Sequence, residues 1–184
     1  MSKPAPKTIT VESSKEVTIR CGVVTDAEPL IKYVKEVLIG SKWALTRRHE
    51  YDVTLEQQIK WIEKHHEGLG KLLLLAEAER EIIGMLDFSN YHREIHQHVG
   101  GFGLSVRADW RQSGIGKALL QTLLDWARAN PVIEKVALVV CSTNKPALQL
   151  YRQVGFVEEG RRPREYRLGK DRYVDDMLMY LFTN

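Results

Sequence analysis

Apolar positions along this chain repeat first every second residue, then every third or fourth, and the switches between these spacings mark its elements. Residues 16–24 (EVTIRCGVV) alternate and are rich in β-branched side chains, which predicts a strand. Thr25 stands three residues before Glu28, the spacing of a capping box, and Leu30, Ile31, Val34, Val37 and Leu38 follow at helical intervals up to Gly40. Thr54 and Gln57 repeat the cap spacing ahead of Leu55, Ile59 and Ile62, predicting a second helix that closes near Gly68. His65 and His66 fall in its last turn, where cationic side chains suit the helix dipole, and read as a solvated end. KLLLLAEAE (71–79) and EIIGMLDFSNY (81–91) predict a hairpin turning at Arg80. A polar, histidine-rich link leads to VGGFGLSV (99–106), a further strand. Ile115, Leu119, Leu123 and Trp126, widened by Leu120 and Leu124, form the stripe of a third helix ending before Pro131. IEKVALVVC (133–141) is apolar on both faces, as a central strand is. Ala147, Leu150, Tyr151 and Val154 mark a short fourth helix closed by Gly155. GFVEEG (155–160) and DRYVDDMLMYLF (171–182) predict two last strands joined by a basic link.

This order predicts an α/β protein, a mixed sheet of about seven strands flanked by four helices. The 184 residues suit one domain over 16–184, with 1–15 as a flexible N-terminal arm. No repeat or linker divides the chain.

Charge and cysteines narrow the function only a little. A net charge of +3 does not imply nucleic acid, though it suits an anionic small ligand. Cys21 and Cys141 form no CxxC pair, so no zinc ribbon or redox motif is visible, and they read as reduced thiols of a cytoplasmic protein. The first residues lack the apolar core of a signal peptide, and no apolar run approaches the roughly 20 residues that span a bilayer.

The candidate chemistry lies in ADWRQSGIGKALL (108–120). Glycine costs a helix about 0.8–1.0 kcal/mol relative to alanine, yet Gly114 and Gly116 stand where the third helix begins. A helix start carries N–H groups without intrahelical partners and the positive end of the dipole, so it binds phosphate when no side chain blocks the approach. The glycines remove that block, and Arg111 and Lys117 add positive charge. The stretch is not a P-loop, which needs G-x-x-x-x-G-K-[ST]. Nor is it a dinucleotide fingerprint, since position 119 is leucine and no βαβ unit opens the chain.

Arg111-Gln112-Ser113-Gly114-Ile115-Gly116 reads R-x-x-G-x-G, and about thirty residues on comes N-x-x-A-x-x-x-Y-x-x-x-G-F, here Asn144, Ala147, Tyr151, Gly155 and Phe156. This pairing resembles the GNAT superfamily of N-acetyltransferases, and the resemblance runs from about residue 17 to 182, element order included. It implies a GNAT-like acyl-CoA N-acyltransferase fold and acetyl-CoA as co-substrate, with no metal. The amides of Gln112, Ser113, Gly114, Ile115, Gly116 and Lys117, with Arg111 nearby, would hold the coenzyme's pyrophosphate. Leu104-Ser105-Val106 would pair with its pantetheine arm, Asn144 and Ala147 would lie along it, and Tyr151 would stand beside the thioester sulfur. Homodimers are frequent among such proteins, and the C-terminal strands are plausible contacts.

A tyrosine suits that place because a phenol, with a pKa near 10, is still protonated at neutral pH and can serve a departing thiolate. A backbone N–H of Leu104 or its neighbour can steady the oxyanion. The base that takes the amine's proton is less visible. Relatives often carry a glutamate on the strand that here reads His98-Val99-Gly100-Gly101-Phe102-Gly103, with no carboxylate. Asp87, His98, the more distant His92 and His96, or an ordered water remain open at this point.

The expected activity is acetyl transfer to a primary amine, on a small molecule or a protein, by direct attack in a ternary complex. The alternatives are a catalytically weak acyl-CoA-binding module and a nucleotide sensor. His92, His96 and His98 read as an exposed connection rather than a metal site. GRRPREYRLGKDR (160–172) reads as the solvated turn of a terminal hairpin rather than a nucleic-acid surface, or as the rim of the acceptor site. Cys141 reads as a small buried residue rather than a nucleophile.

Overall fold

The computed structural model describes residues 3–11, 15–38, 41, 43, 46 and 48–183. Strands β1 (Lys7–Thr10), β2 (Glu16–Cys21), β3 (Lys71–Ala78), β4 (Glu81–Asn90), β5 (Val99–Val106), β6 (Lys135–Cys141), β7 (Val157–Gly169) and β8 (Arg172–Phe182) form one mixed sheet. Their order across it is β1-β2-β3-β4-β5-β6-β8-β7. Helices α1 (Ala27–Tyr33) and α2 (Leu55–Glu67) cover one face, and α3 (Ile115–Ala129) and α4 (Lys145–Val154) the other.

Two cores follow from the alternation of side chains along the central strands. Leu72, Leu74, Leu86 and Phe88 pack with α3 and α4, whereas Leu73, Leu75 and Met85 pack with α1 and α2. Helix α3 is held by Ile115, Leu119, Leu120, Leu123 and Leu124, all essentially inaccessible. Each is worth about 1.5–3 kcal/mol of burial, enough to override the glycines at its start.

One irregularity positions the site. β5 and β6 are parallel neighbours, but they pair only through Val99–Lys135, Gly100–Val136 and Gly101–Ala137. Beyond that point β5 stays on β4 as far as Val106, and β6 stays on β8 as far as Cys141. Residues 102–106 and 138–141 therefore diverge, and a wedge-shaped gap opens through the sheet.

Several expectations are corrected. The mixed sheet agrees with the about seven strands expected and adds an eighth, because residues 7–10 of the supposed loose arm pair with β2. That strand (KTIT) has a single apolar residue and no readable alternation; Val11 just after it is buried, and the Lys3 ammonium donates to the carbonyls of His65 (2.7 Å) and Lys71 (2.6 Å). The Thr25–Glu28 box does not form. A 3₁₀ turn occupies Val24–Asp26, and the Asp26 carboxylate accepts the Val23 N–H at 2.8 Å while the Arg20 guanidinium grips it at 2.7 Å through both nitrogens. After Tyr33 the chain winds as a π turn over Val34–Leu38, and the end expected at Gly40 lies outside the described residues. The Thr54–Gln57 box forms in both directions, at 3.2 and 2.9 Å. His65 is not solvated. It is 4 % exposed, its Nδ1–H donates to the Trp61 carbonyl at 2.8 Å, and its Nε2 accepts from the Ser89 hydroxyl at 3.2 Å. Burial lowers its pKa and so keeps it neutral. The basic segment 160–172 is no loop: β7 runs through it to Gly169, paired with β8 and interrupted only by bulges.

Candidate active site

The backbone lining the gap can be assigned by alternation. His98 O accepts from the N–H groups of Glu134 and Lys135, so it faces β6, while Val99 O accepts from Tyr91 N and faces β4. Carrying that alternation forward turns the N–H and C=O of Phe102, Leu104 and Val106 into the gap. Gly103 and Ser105 turn theirs to Asp87 and Met85 of β4. Of the three residues expected to pair with a pantetheine arm, Leu104 and Val106 thus turn their backbone into the gap. Ser105 lines the α1/α2 face, where its hydroxyl bonds the Tyr33 hydroxyl at 3.0 Å.

The turn after β5 has the geometry of an anion cradle. Gln112 and Gly114 both have positive φ, 63° and 88°, a backbone shape that turns successive N–H groups inward. Ala118 N is the donor to Gly114 O, at 3.0 Å, which leaves the N–H groups of Ile115, Gly116 and Lys117 ahead of it without intrahelical acceptors. Nothing stands within 4 Å of where a Gly114 β-carbon would be, so this end is open. A β-carbon on Gly116 would meet Leu150 of α4 at 3.3 Å, so that glycine also serves packing. The Ser113 hydroxyl is turned back onto Trp110 O at 2.6 Å, so Ser113 offers its amide rather than its side chain. Arg111 Nε donates to Val106 O at 3.0 Å, which pins its guanidinium at the mouth of the gap, while Lys117 is exposed at the helix start.

Tyr151 is 7 % exposed on the α3/α4 face, and burial pushes its phenol up to about 12. Its ring lies edge-on to Phe102, the first residue of β5 beyond its pairing with β6, at 5.8 Å, and Phe156 completes the cluster at 5.8 and 6.0 Å. The hydroxyl has no hydrogen-bond partner among the described residues, and it is not one of the sealed, unpartnered atoms, so it reaches accessible space. Asn144 caps α4, its Oδ1 accepting the Ala147 N–H at 3.4 Å, which places both residues at the far end of β6 from the pairing with β5.

Asp87 is the residue that sequence reasoning left undecided and the fold singles out. It lies on the α1/α2 face of β4, directly across from Gly103, and its Oδ1 is 2.8 Å from where a Gly103 β-carbon would stand. Gly101 and Gly103 leave that face of β5 bare, so the carboxylate leans over the strand toward the gap. No side chain pairs with Asp87, and burial, partly opposed by a hydrogen bond from its own backbone N–H, raises its pKa to about 6. His98 immediately precedes β5 at its closed end, five residues before Gly103, about 17 Å along the chain. His92 and His96 are exposed in the preceding connection, where His96 stacks on Tyr91 at 4.0 Å. Neither approaches the open end of the gap. Cys141 ends β6 opposite Asp176, and burial followed by that charge raises its thiol, a poor setting for a nucleophile.

Comparison with known proteins places this geometry. The profile of the acetyltransferase (GNAT) family matches residues 38–156, well over half of the chain. The chain belongs to the GNAT family of acetyltransferases. Among related GNAT proteins, L-amino acid N-acetyltransferase AaaT of Escherichia coli is 28% identical over 123 residues, 65% of this chain and 73% of that one. An N-alpha-acetyltransferase of Sulfurisphaera tokodaii is 26% identical over 171 residues, 89% of this chain and 93% of its own. A GNAT-family acetyltransferase from Streptococcus pneumoniae superposes with a TM-score of 0.85 at 23% identity, covering 90% of this chain and 98% of that one. A further neighbour, yncA from Salmonella typhimurium, was solved with acetyl-CoA; its TM-score is 0.79 at 19% identity over 91% of this chain and 94% of its own. No helix among the described residues is long and apolar enough to cross a membrane.

Proposed function

We propose that this GNAT protein transfers an acetyl group from acetyl-CoA to a primary amine through the gap between β5 and β6. One observation carries the reading: a hydroxyl and a carboxylate flank that gap from opposite faces of the sheet, Tyr151 from the α4 side and Asp87 from the α1/α2 side. The amide-lined turn at 112–117 stands at its open end.

Each residue's role follows from its setting. The free amides of Ile115, Gly116 and Lys117, with the amides of the turn before them, hold the diphosphate. Leu104 and Val106 offer backbone donors and acceptors to the two amides of the pantetheine arm, which would otherwise leave water unpaired. The amine reaches the thioester carbonyl from the α1/α2 side. Asp87, poised near pH 6 and without a cation of its own, accepts the amine's proton directly or through a water. The gap-facing N–H of Leu104 or Phe102 donates to the oxyanion as it forms. When the carbon–sulfur bond breaks, the Tyr151 hydroxyl donates its proton to the sulfur; a phenol held near 12 is fully protonated for this step. Relatives are named for L-amino acid, spermidine and N-alpha acetylation, so similar chains serve different acceptors, and acceptor choice is assigned here to the α1/α2 side from which the amine enters.

A thiol-release assay with acetyl-CoA and a panel of primary amines tests this reading, beside calorimetry of acetyl-CoA against ATP. Acetyl-CoA should bind in preference to ATP and at least one amine should release free coenzyme A. Equal binding of ATP, or bound acetyl-CoA with no turnover on any amine, contradicts it.

A further inference from the structure

Beside Asp87, on the same face, lies a cavity of about 500 Å³ between α1, α2 and β4. Its walls include Leu30, Val34, Val53, Trp61 and Met85, with the side chain of Gln58 among them. Met85 is two residues before Asp87 on β4, so a wall of the cavity and Asp87 leave the same face of the strand about 7 Å apart along the backbone. Size and lining suit a small-molecule pocket, apolar walls with a few fixed polar groups.

Gln58 supplies the observation that points to an occupant. The residue is 6 % exposed, yet its side-chain amide makes no hydrogen bond within the described residues and still borders accessible space. Buried amides of this kind are costly unless something completes them. An amide in an apolar wall can donate to a carbonyl or carboxylate oxygen and accept from an N–H. Tyr51, whose phenol burial pushes up, adds a second hydroxyl to the wall. Among the described residues of the lining the one charged group is an exposed carboxylate, Asp52, too little to recognise an extended polycation.

We propose that this cavity is the acceptor pocket and that it selects an α-amine on a carbon bearing an apolar side chain, with Gln58 bonded to the neighbouring carbonyl oxygen. This rests on the acetyl transfer proposed above. The amine lies at Asp87, the side chain fills the space between Trp61, Leu30 and Met85, and the carbonyl group meets Gln58. A free amino acid and the N-terminal residue of a peptide both carry this chemistry.

Steady-state kinetics on the full chain test it, with phenylalaninamide, leucinamide, glycinamide, spermidine, free phenylalanine and a tripeptide beginning in phenylalanine. The expected kcat/KM for phenylalaninamide or leucinamide exceeds those for glycinamide and spermidine about ten-fold or more, the scale an apolar pocket can supply. Val53→Trp, which fills the cavity from its outer wall, should collapse the phenylalaninamide-to-glycinamide ratio, and Gln58→Leu should raise KM for phenylalaninamide more than it lowers kcat. Circular dichroism shows that each variant is folded. Preference for the tripeptide or for free phenylalanine over the other identifies the source, and either supports the proposal. Turnover indifferent to the side chain, or favouring spermidine, overturns the pocket while leaving acetyl transfer intact. Absence of turnover on every amine overturns both.

Discussion

Asp87 and Gly103 face each other across β4 and β5, and the carboxylate occupies the space that any larger side chain at position 103 would claim. A β-carbon there would lie 2.8 Å from Oδ1, closer than two such atoms can approach, so Gly103→Ala must turn Asp87 away from the gap. The expected result is a fall in kcat of about 10–100-fold with acetyl-CoA binding retained, since a displacement near 1 Å costs on that order. Kinetics beside calorimetry check it; unchanged kcat removes Asp87 from the reaction.

Asp87→Asn should act on both activity and stability. A base in its carboxylate form loses activity as pH falls through about 6, so kcat of the wild type should decline below that value and the variant should lack this limb, with kcat about 100–1000-fold lower at pH 8. The stability effect runs the other way. The folded state raises the pKa from 3.8, so folding favours the protonated form; that contribution is complete below about pH 4 and lost as pH rises through 6. Removing the charge should stabilise the fold by at most about 3 kcal/mol at pH 8 and by under about 1 kcal/mol at pH 4. Thermal melts at both pH values measure this.

Tyr151→Phe keeps the ring contacts with Phe102 and Phe156 and removes only the hydroxyl. The expected outcome is a kcat about 100-fold lower with little change in acetyl-CoA affinity or Tm. An unchanged kcat would show that the thiolate leaves without this proton.

Gly114→Ala tests the anion cradle separately from the chemistry. The backbone there has φ of 88°, which costs an alanine about 1–2 kcal/mol, and its methyl group would project into the open mouth of the turn. Acetyl-CoA affinity should drop about ten-fold while single-turnover rates at saturation stay near wild type.

Much of this was written in local patterns. Alternation placed β2, apolar runs around a tight turn placed β3 and β4, helical spacing placed α3 and α4, and the glycines marked the turn, because those signals depend on neighbours a few residues apart. What escaped is long-range. β1 has too little apolar patterning to be read and is held by its register on β2. His65 is buried by Ser89 on a strand that follows it, and no local rule foretells that contact. The position of Asp87 was half visible: counting from Leu86 and Phe88 turns it to the opposite face of β4. Its place over Gly103 depends on the β4–β5 register, and its raised pKa on burial. The gap itself leaves no trace in composition, since both of its lips are apolar strands whose pairing simply stops after Gly101.

The most direct measurement is a crystal structure of the full chain with acetyl-CoA. It should place the diphosphate on the amides of residues 113–117, the pantetheine arm against the backbone of Leu104 and Val106, and the sulfur within hydrogen-bonding reach of the Tyr151 hydroxyl. A structure in which β5 and β6 zip together through residues 102–106, with the coenzyme bound elsewhere, would contradict the account.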